Sequence, residues 1–167
     1  MHAGPYWIDT GQFGRLAILP RPRGGDWMVD EARAWSRAGF DTVVSLLEPD
    51  EVADLGLTDE KIASEAAGIR FESLPIPDRG LPGSRSAMTA LAAELAASIV
   101  AGKRIGVHCR QGIGRSAVVA ACILIALGVD QAAALSRIAA ARGLPVPETP
   151  EQRQWVVDFA RSLIATV

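Results

Sequence analysis

The stretch Arg104-Ile105-Gly106-Val107-His108-Cys109-Arg110-Gln111-Gly112-Ile113-Gly114-Arg115-Ser116 decides the fold. Arg104 to His108 reads as a short strand. Ala117 to Leu127 is an unbroken apolar run and reads as a helix that opens near Arg115. A glycine-rich loop joins the two. A strand passing through a tight loop into a helix is half of a parallel β-α unit.

The chain around this unit repeats the pattern. Tyr6-Trp7-Ile8 and Arg15 to Leu19 read as strands around a Gly11/Gly14 turn. Asp26 is expected to cap a helix that runs to about Ala38 and stops at Gly39. Thr42 to Leu47 is a continuous β-branched and apolar run, as in a strand buried on both faces. Thr58 opens a helix ending near Gly68, and Arg70 to Leu74 is a strand. A proline-rich loop fills Pro75 to Pro82. Ser86 to Val100 is helical by its Ala and Leu content. Asp130 starts a helix to about Arg142. Thr149 caps a last helix, with Pro150 at its first position. Strands alternating with helices predict a single α/β domain over residues 1–167, with a central, mostly parallel sheet flanked by helices.

Bulk properties agree with one compact unit. The 167 residues are 49% apolar, too many for a disordered chain. A net charge of −2 gives no reason to expect a nucleic-acid or membrane-surface partner. Any anionic partner must be met by a local site. Met1 to Pro5 lacks the basic start and apolar stretch of a leader, and no apolar run is long enough to span a bilayer. The two cysteines, Cys109 and Cys122, form no disulfide framework. A reduced, cytoplasmic monomer is therefore expected.

The loop carries anion chemistry. In open α/β sheets ligands bind at the C-terminal ends of strands. A helix N-terminus offers unpaired N–H groups and a positive dipole end. Gly112 and Gly114 let the backbone from Arg110 through Gln111 and Ile113 curl so that several N–H groups point inward. Arg115 adds a bidentate guanidinium fork. The same positive surroundings favour a thiolate at Cys109, the form that attacks. Cys122, within the apolar helix, reads as a core residue.

These residues carry a resemblance. His108-Cys109, five residues, then Arg115-Ser116 is similar to the active-site loop of the protein tyrosine phosphatase superfamily, His-Cys-x5-Arg-Ser/Thr. Gly112 and Gly114 make the match specific. By length the chain resembles the small dual-specificity branch. The resemblance implies the phosphatase fold and hydrolysis of phosphorylated protein through a phosphocysteine, with no cofactor and no metal. Cys109 would be the nucleophile and Arg115 the phosphate clamp. Ser116 would donate to the Cys109 sulfur, and His108 would support the loop from behind.

A leaving alkoxide or phenoxide needs a proton, so a carboxylic acid is expected on a second loop over the site. Asp78, in Pro75-Ile76-Pro77-Asp78-Arg79-Gly80, resembles the family's acid loop. It also fits a plain Pro-Asp turn. Glu148-Thr149-Pro150-Glu151-Gln152 resembles the segment that positions the hydrolytic water in larger members, with Glu148 where a Gln is usual. Gln152 is either the second water-positioning Gln or an ordinary first-turn residue. Glu48, after the Thr42 strand, either orients the Arg115 guanidinium or belongs to a solvated acidic turn with Asp50 and Glu51. Arg79 and Arg85 read as solvated rim residues.

Three rivals remain. A phosphate-binding module would keep the cradle without turnover. A phosphoinositide or RNA phosphatase would use the same loop, although inositide-directed members often carry loop lysines that Arg110, Gln111 and Ile113 do not supply. An arsenate reductase would need more cysteines for its disulfide relay. The sequence argues against a nucleotide P-loop, because no Gly-Lys-Ser/Thr follows the glycines.

Overall fold

The computed structural model describes residues 4–165; Met1, His2 and Ala3, read above for a leader, lie outside the described residues. Five strands form one sheet: β1 (Tyr6–Ile8), β2 (Arg15–Ile18), β3 (Thr42–Ser45), β4 (Arg70–Ser73) and β5 (Arg104–His108). Their order is β1-β2-β5-β3-β4. Only β1 is antiparallel to its neighbour, and the other pairings are parallel. The expected α/β fold with a mostly parallel sheet is thus the observed one.

The helices are α1 (Met28–Arg37), α2 (Pro49–Asp54), α3 (Glu60–Ala66), α4 (Arg85–Val100), α5 (Arg115–Ala126), α6 (Gln131–Arg142) and α7 (Pro150–Ala165). Three capping expectations have clear outcomes. The Asp130 carboxylate accepts from Ala132 and Ala133 N–H at the start of α6. Thr149 Oγ1 accepts from Gln152 N–H at the start of α7. Asp26 does not cap α1. It sits inside a 3-10 turn, Gly25–Trp27, and α1 begins after it with no side-chain cap. The N–H of Gly25 is tied instead to the carbonyl of Gly56.

Alternation along the strands fills two layers. Leu16, Ile18, Val44, Leu46, Ile105 and Val107 pack with α4, α5 and the later helices. Ala17, Leu19, Val43 and Leu47 pack on the other face with Met28, Trp35 and Phe40. Period-two alternation with both faces covered explains why these strands read as continuous apolar runs. Gly106 is required by this packing. A Cβ there would lie 2.5 Å from Leu19 Cδ1 and 3.2 Å from Phe40 Cε1. Helix α5 is surrounded, with every residue from Arg115 to Leu124 buried.

The register sets the site. Ser45 lies opposite both His108 and Ser73, so β3, β4 and β5 end together. Pairing continues past the strands: Leu46 N–H donates to the His108 carbonyl at 3.0 Å, and Ile76 N–H to the Leu46 carbonyl at 3.0 Å. The Cys109 loop, the Pro75–Pro82 loop and α2 therefore share one edge of the sheet.

Candidate active site

Cys109 follows β5 directly and is buried, 3% exposed. Its Sγ accepts a hydrogen bond from Gly112 N–H at 3.2 Å. That bond needs the loop to double back, and Gly112 does so at φ 71°, a left-handed value that side chains resist. Arg110 and Gln111 point outward and are exposed, and Ile113 is half-buried. A residue the sequence reading missed holds the loop from outside. Arg142, at the end of α6, donates from Nε to the Gly112 carbonyl at 2.8 Å and from Nη2 to the Gln111 carbonyl at 3.3 Å. Its guanidinium also lies over the Tyr6 ring, 4.0 Å from the centroid.

Arg115 opens α5 and is only 2% exposed. Its Nη1 donates to Glu51 Oε2 at 2.8 Å and to the Ile76 carbonyl at 2.9 Å. Its Nη2 donates to Glu51 Oε1 at 2.9 Å and to Asp78 Oδ1 at 3.2 Å. Burial works against the guanidinium charge. The hydrogen bonds it donates to Glu51 and the negative charges of Cys109, Glu51 and Asp78 outweigh it and raise the group above its ordinary value. Glu51 is held below its own by the Arg115 hydrogen bond foremost, then by the Glu48 N–H, against the cost of burial.

This corrects the reading of Glu48. The carboxylate on Arg115 is Glu51, one helical turn on, while Glu48 is the residue before α2 and donates its N–H to Glu51 Oε2 at 2.9 Å. The acidic turn is a short helix with Pro49 at its first position, and that helix turns Glu51 inward. Pro49 followed by Asp50 and Glu51 was the available signal.

Asp78 sits on the neighbouring loop, with its side chain 61% exposed and one oxygen on Arg115. Arg79, next to it, has φ 58°. Gly80 N–H closes the turn on the Pro77 carbonyl at 2.7 Å. Two contacts tie this loop to the start of α7. Arg79 Nη1 pairs with Glu148 Oε1 at 2.6 Å, and Gln152 Nε2 donates to the Gly80 carbonyl at 3.1 Å. Gln152 Oε1 accepts the N–H groups of Glu148 and Thr149. Gln152 is fully buried and closes a reciprocal capping box with Thr149, the work of a first-turn residue, while its Nε2 also reaches the Pro75–Pro82 loop. Arg79 is therefore tethered, and Arg85 lies over Trp155 and donates to the Asp158 carbonyl.

His108 is fully buried. Its Nε2 faces Glu60 Oε1 at 2.5 Å, and Trp35 stacks on the ring. Glu60, a buried acid opening α3, was not singled out from sequence. Ser116 departs from expectation. Its Oγ is buried and has no hydrogen-bond partner among the described residues, so the sulfur is met by Gly112 N–H instead. Burial pushes the Cys122 thiol far up, in keeping with a core role.

Residues 19–129 match the family described as "Tc-R-P: Polymorphic toxin system, DSP-PTPase phosphatase". The match spans well over half the chain and includes Glu51, Asp78 and the Cys109 loop. The chain belongs to the DSP-PTPase phosphatase family. It is a phosphatase domain, a hydrolase of phosphoric monoesters. Cyclin-dependent kinase inhibitor 3 of Rattus norvegicus is 32% identical over 100 residues, which cover 59% of this chain and 47% of that protein. The chain thus spans about half the length of this curated relative. Two crystal structures share the fold. One is kinase associated phosphatase with its catalytic site cysteine changed to serine, at TM-score 0.84 and 18% identity, covering 99% of this chain and 98% of that one. The other is Tk-PTP in the active form, at TM-score 0.77 and 27% identity, covering 96% of this chain and 99% of that one. Arg142, Glu148 and Gln152 lie beyond the family match.

Proposed function

We propose that the protein hydrolyses phosphotyrosine monoesters on protein substrates, with phosphoserine and phosphothreonine as further substrates, through a phosphocysteine on Cys109. The observation that carries this reading is the Arg115 guanidinium. One planar fork, fixed by Glu51, meets the acid loop at Asp78 and opens the helix that follows the Cys109 loop.

Substrate phosphate would lie in the loop, bound by inward N–H groups and by Arg115. The Cys109 thiolate attacks phosphorus, and Asp78 gives its proton to the departing oxygen. Phosphate in the cradle takes over the Arg115 donor that Asp78 engages here, which frees the carboxyl for the leaving group. Ser116 Oγ, buried one residue after Arg115 and without a partner, is available to the sulfur as it leaves phosphocysteine. His108, held by Glu60, braces the strand end under the nucleophile. The protein acts as a monomer in a reducing, cytoplasmic setting. Both cysteines being free supports the reducing setting.

The test is a panel of phosphotyrosine, phosphoserine and phosphothreonine peptides beside phosphoinositides, run on wild type and Cys109→Ser. Release of phosphate from phosphotyrosine peptides by wild type alone supports the reading. Release only from phosphoinositides refutes the substrate class. No release by pure wild type favours a binding module.

A further inference from the structure

We propose that Arg79 is a positioning residue of the first half-reaction, its ion pair with Glu148 latching Asp78 over the Cys109 loop; this rests on the general-acid reading of Asp78 above. The backbone supplies one observation. Gly80 N–H donates to the Pro77 carbonyl at 2.7 Å, so Pro77 to Gly80 form one tight turn. A Cβ on Gly80 would lie 2.8 Å from that carbonyl oxygen, which leaves the turn no slack. Arg79 holds the third position at φ 58°, the one positive φ outside glycine among the described residues. Turns with a positive φ there favour glycine or asparagine, because a Cβ is strained in the left-handed region. In this chain an arginine carries the strain, directly beside the acid.

The side chain supplies the other observation. Arg79 Nη1 meets Glu148 Oε1 at 2.6 Å, just ahead of α7. Backbone strain persists only where the surroundings hold it. The ion pair and the bond from Gln152 Nε2 to the Gly80 carbonyl fix the far end of the loop. Ile76 N–H on the Leu46 carbonyl fixes the near end. Asp78 lies between. Its own contact, to Arg115 at 3.2 Å, is the one that substrate phosphate takes over. Once phosphate is bound, the carboxyl keeps its place through its neighbours, and Arg79 is the nearest of them.

The latch serves one proton transfer. The Cys109 sulfur bonds to phosphorus, the phosphorus–oxygen bond breaks with its electron pair on oxygen, and that oxygen takes the Asp78 proton, leaving Asp78 a carboxylate. A loop that swings away keeps the nucleophile and the Arg115 clamp and loses only the proton. The loss then falls on poor leaving groups. The Arg79 side chain is 62% exposed, so salt screens the latch.

The readout is the ratio of kcat/KM on p-nitrophenyl phosphate, whose leaving group needs no proton, to kcat/KM on phenyl phosphate, whose leaving group does. Asp78→Asn sets the upper limit of that ratio. Arg79→Ala and Glu148→Gln should each raise it by up to about fivefold, the worth of an exposed ion pair, and the double variant should raise it no further. Arg79→Gly loses the latch but relieves the strain, so its ratio should fall between wild type and Arg79→Ala. Added salt should raise the wild-type ratio and leave that of Arg79→Ala unmoved. Wild-type ratios in Arg79→Ala and Glu148→Gln overturn the proposal, as does an Arg79→Gly ratio at or above that of Arg79→Ala. An Asp78→Asn ratio equal to wild type means that the acid reading itself has failed, an outcome distinct from a raised Asp78→Asn ratio beside unmoved Arg79 and Glu148 variants.

Discussion

Replacing Glu51 with alanine removes two charge-assisted hydrogen bonds, 2.8 Å and 2.9 Å, from a guanidinium that stays 2% exposed. Breaking one side of a buried ion pair costs about 3–5 kcal/mol, because the remaining charge is left without compensation. For a domain of 167 residues each kcal/mol moves Tm by about 2–4 °C. Glu51→Ala should therefore melt roughly 6–20 °C below wild type. Arg115 would keep only the Ile76 carbonyl and the exposed Asp78, so its fork would no longer be aimed. A misplacement near 1 Å costs about 10²-fold in rate, and kcat/KM on an aryl phosphate should fall by at least that. The pH dependence has a definite sign. Glu51 sits below its ordinary 4.5, so its stabilisation is complete above that pH and is lost as pH falls through the lowered value. Glu51→Gln, of equal size, should flatten that part of the acid-unfolding curve. Calorimetry across pH beside steady-state kinetics reads all three quantities. Unchanged Tm and unchanged kcat/KM in Glu51→Ala would refute the assignment of Glu51 as the residue that fixes the clamp.

Three further outcomes follow from the same geometry. Asp78→Asn should lower kcat/KM on phosphotyrosine peptides about 10²–10⁴-fold, and far less on an aryl phosphate whose phenolate needs no proton; equal losses on both would remove Asp78 from the acid role. Gly106→Ala forces a methyl to 2.5 Å from Leu19 Cδ1, and overpacking of this kind costs about 1–3 kcal/mol, read as a lower Tm with no change in the pH profile. Iodoacetamide on the native protein should label Cys109 and spare Cys122, whose thiol burial pushes far up; peptide mapping that finds Cys122 labelled first would contradict this.

The sheet was legible because its strands are covered on both faces. Thr42 to Leu47 is a continuous β-branched and apolar run, and Arg104 to His108 sets Ile105 and Val107 just ahead of the loop that opens α5. The cradle was legible because its parts are contiguous, from Cys109 to Ser116. What escaped sequence reading acts across the fold. Glu51 meets Arg115 from 64 residues away, through a six-residue helix too short to show a periodic face. Glu60 reaches His108 across 48 residues, and Arg142 reaches the loop carbonyls of Gln111 and Gly112 from the end of α6. Each is a single charged residue whose partner lies on another element, so local pattern holds no trace of the pairing. Ser116 shows the converse. Its position was legible, but the hydroxyl is unpartnered while the sulfur accepts from Gly112 N–H, a backbone bond that side-chain types do not announce.

The most direct test of the central claim is acid-quenched intact mass and peptide mapping of the wild-type protein during turnover of an aryl phosphate, with Cys109→Ser beside it. The account requires a phosphoryl adduct on Cys109 that forms and decays at kinetically competent rates, and neither adduct nor turnover in Cys109→Ser. Turnover that persists in Cys109→Ser, or an adduct on any residue other than Cys109, would contradict it.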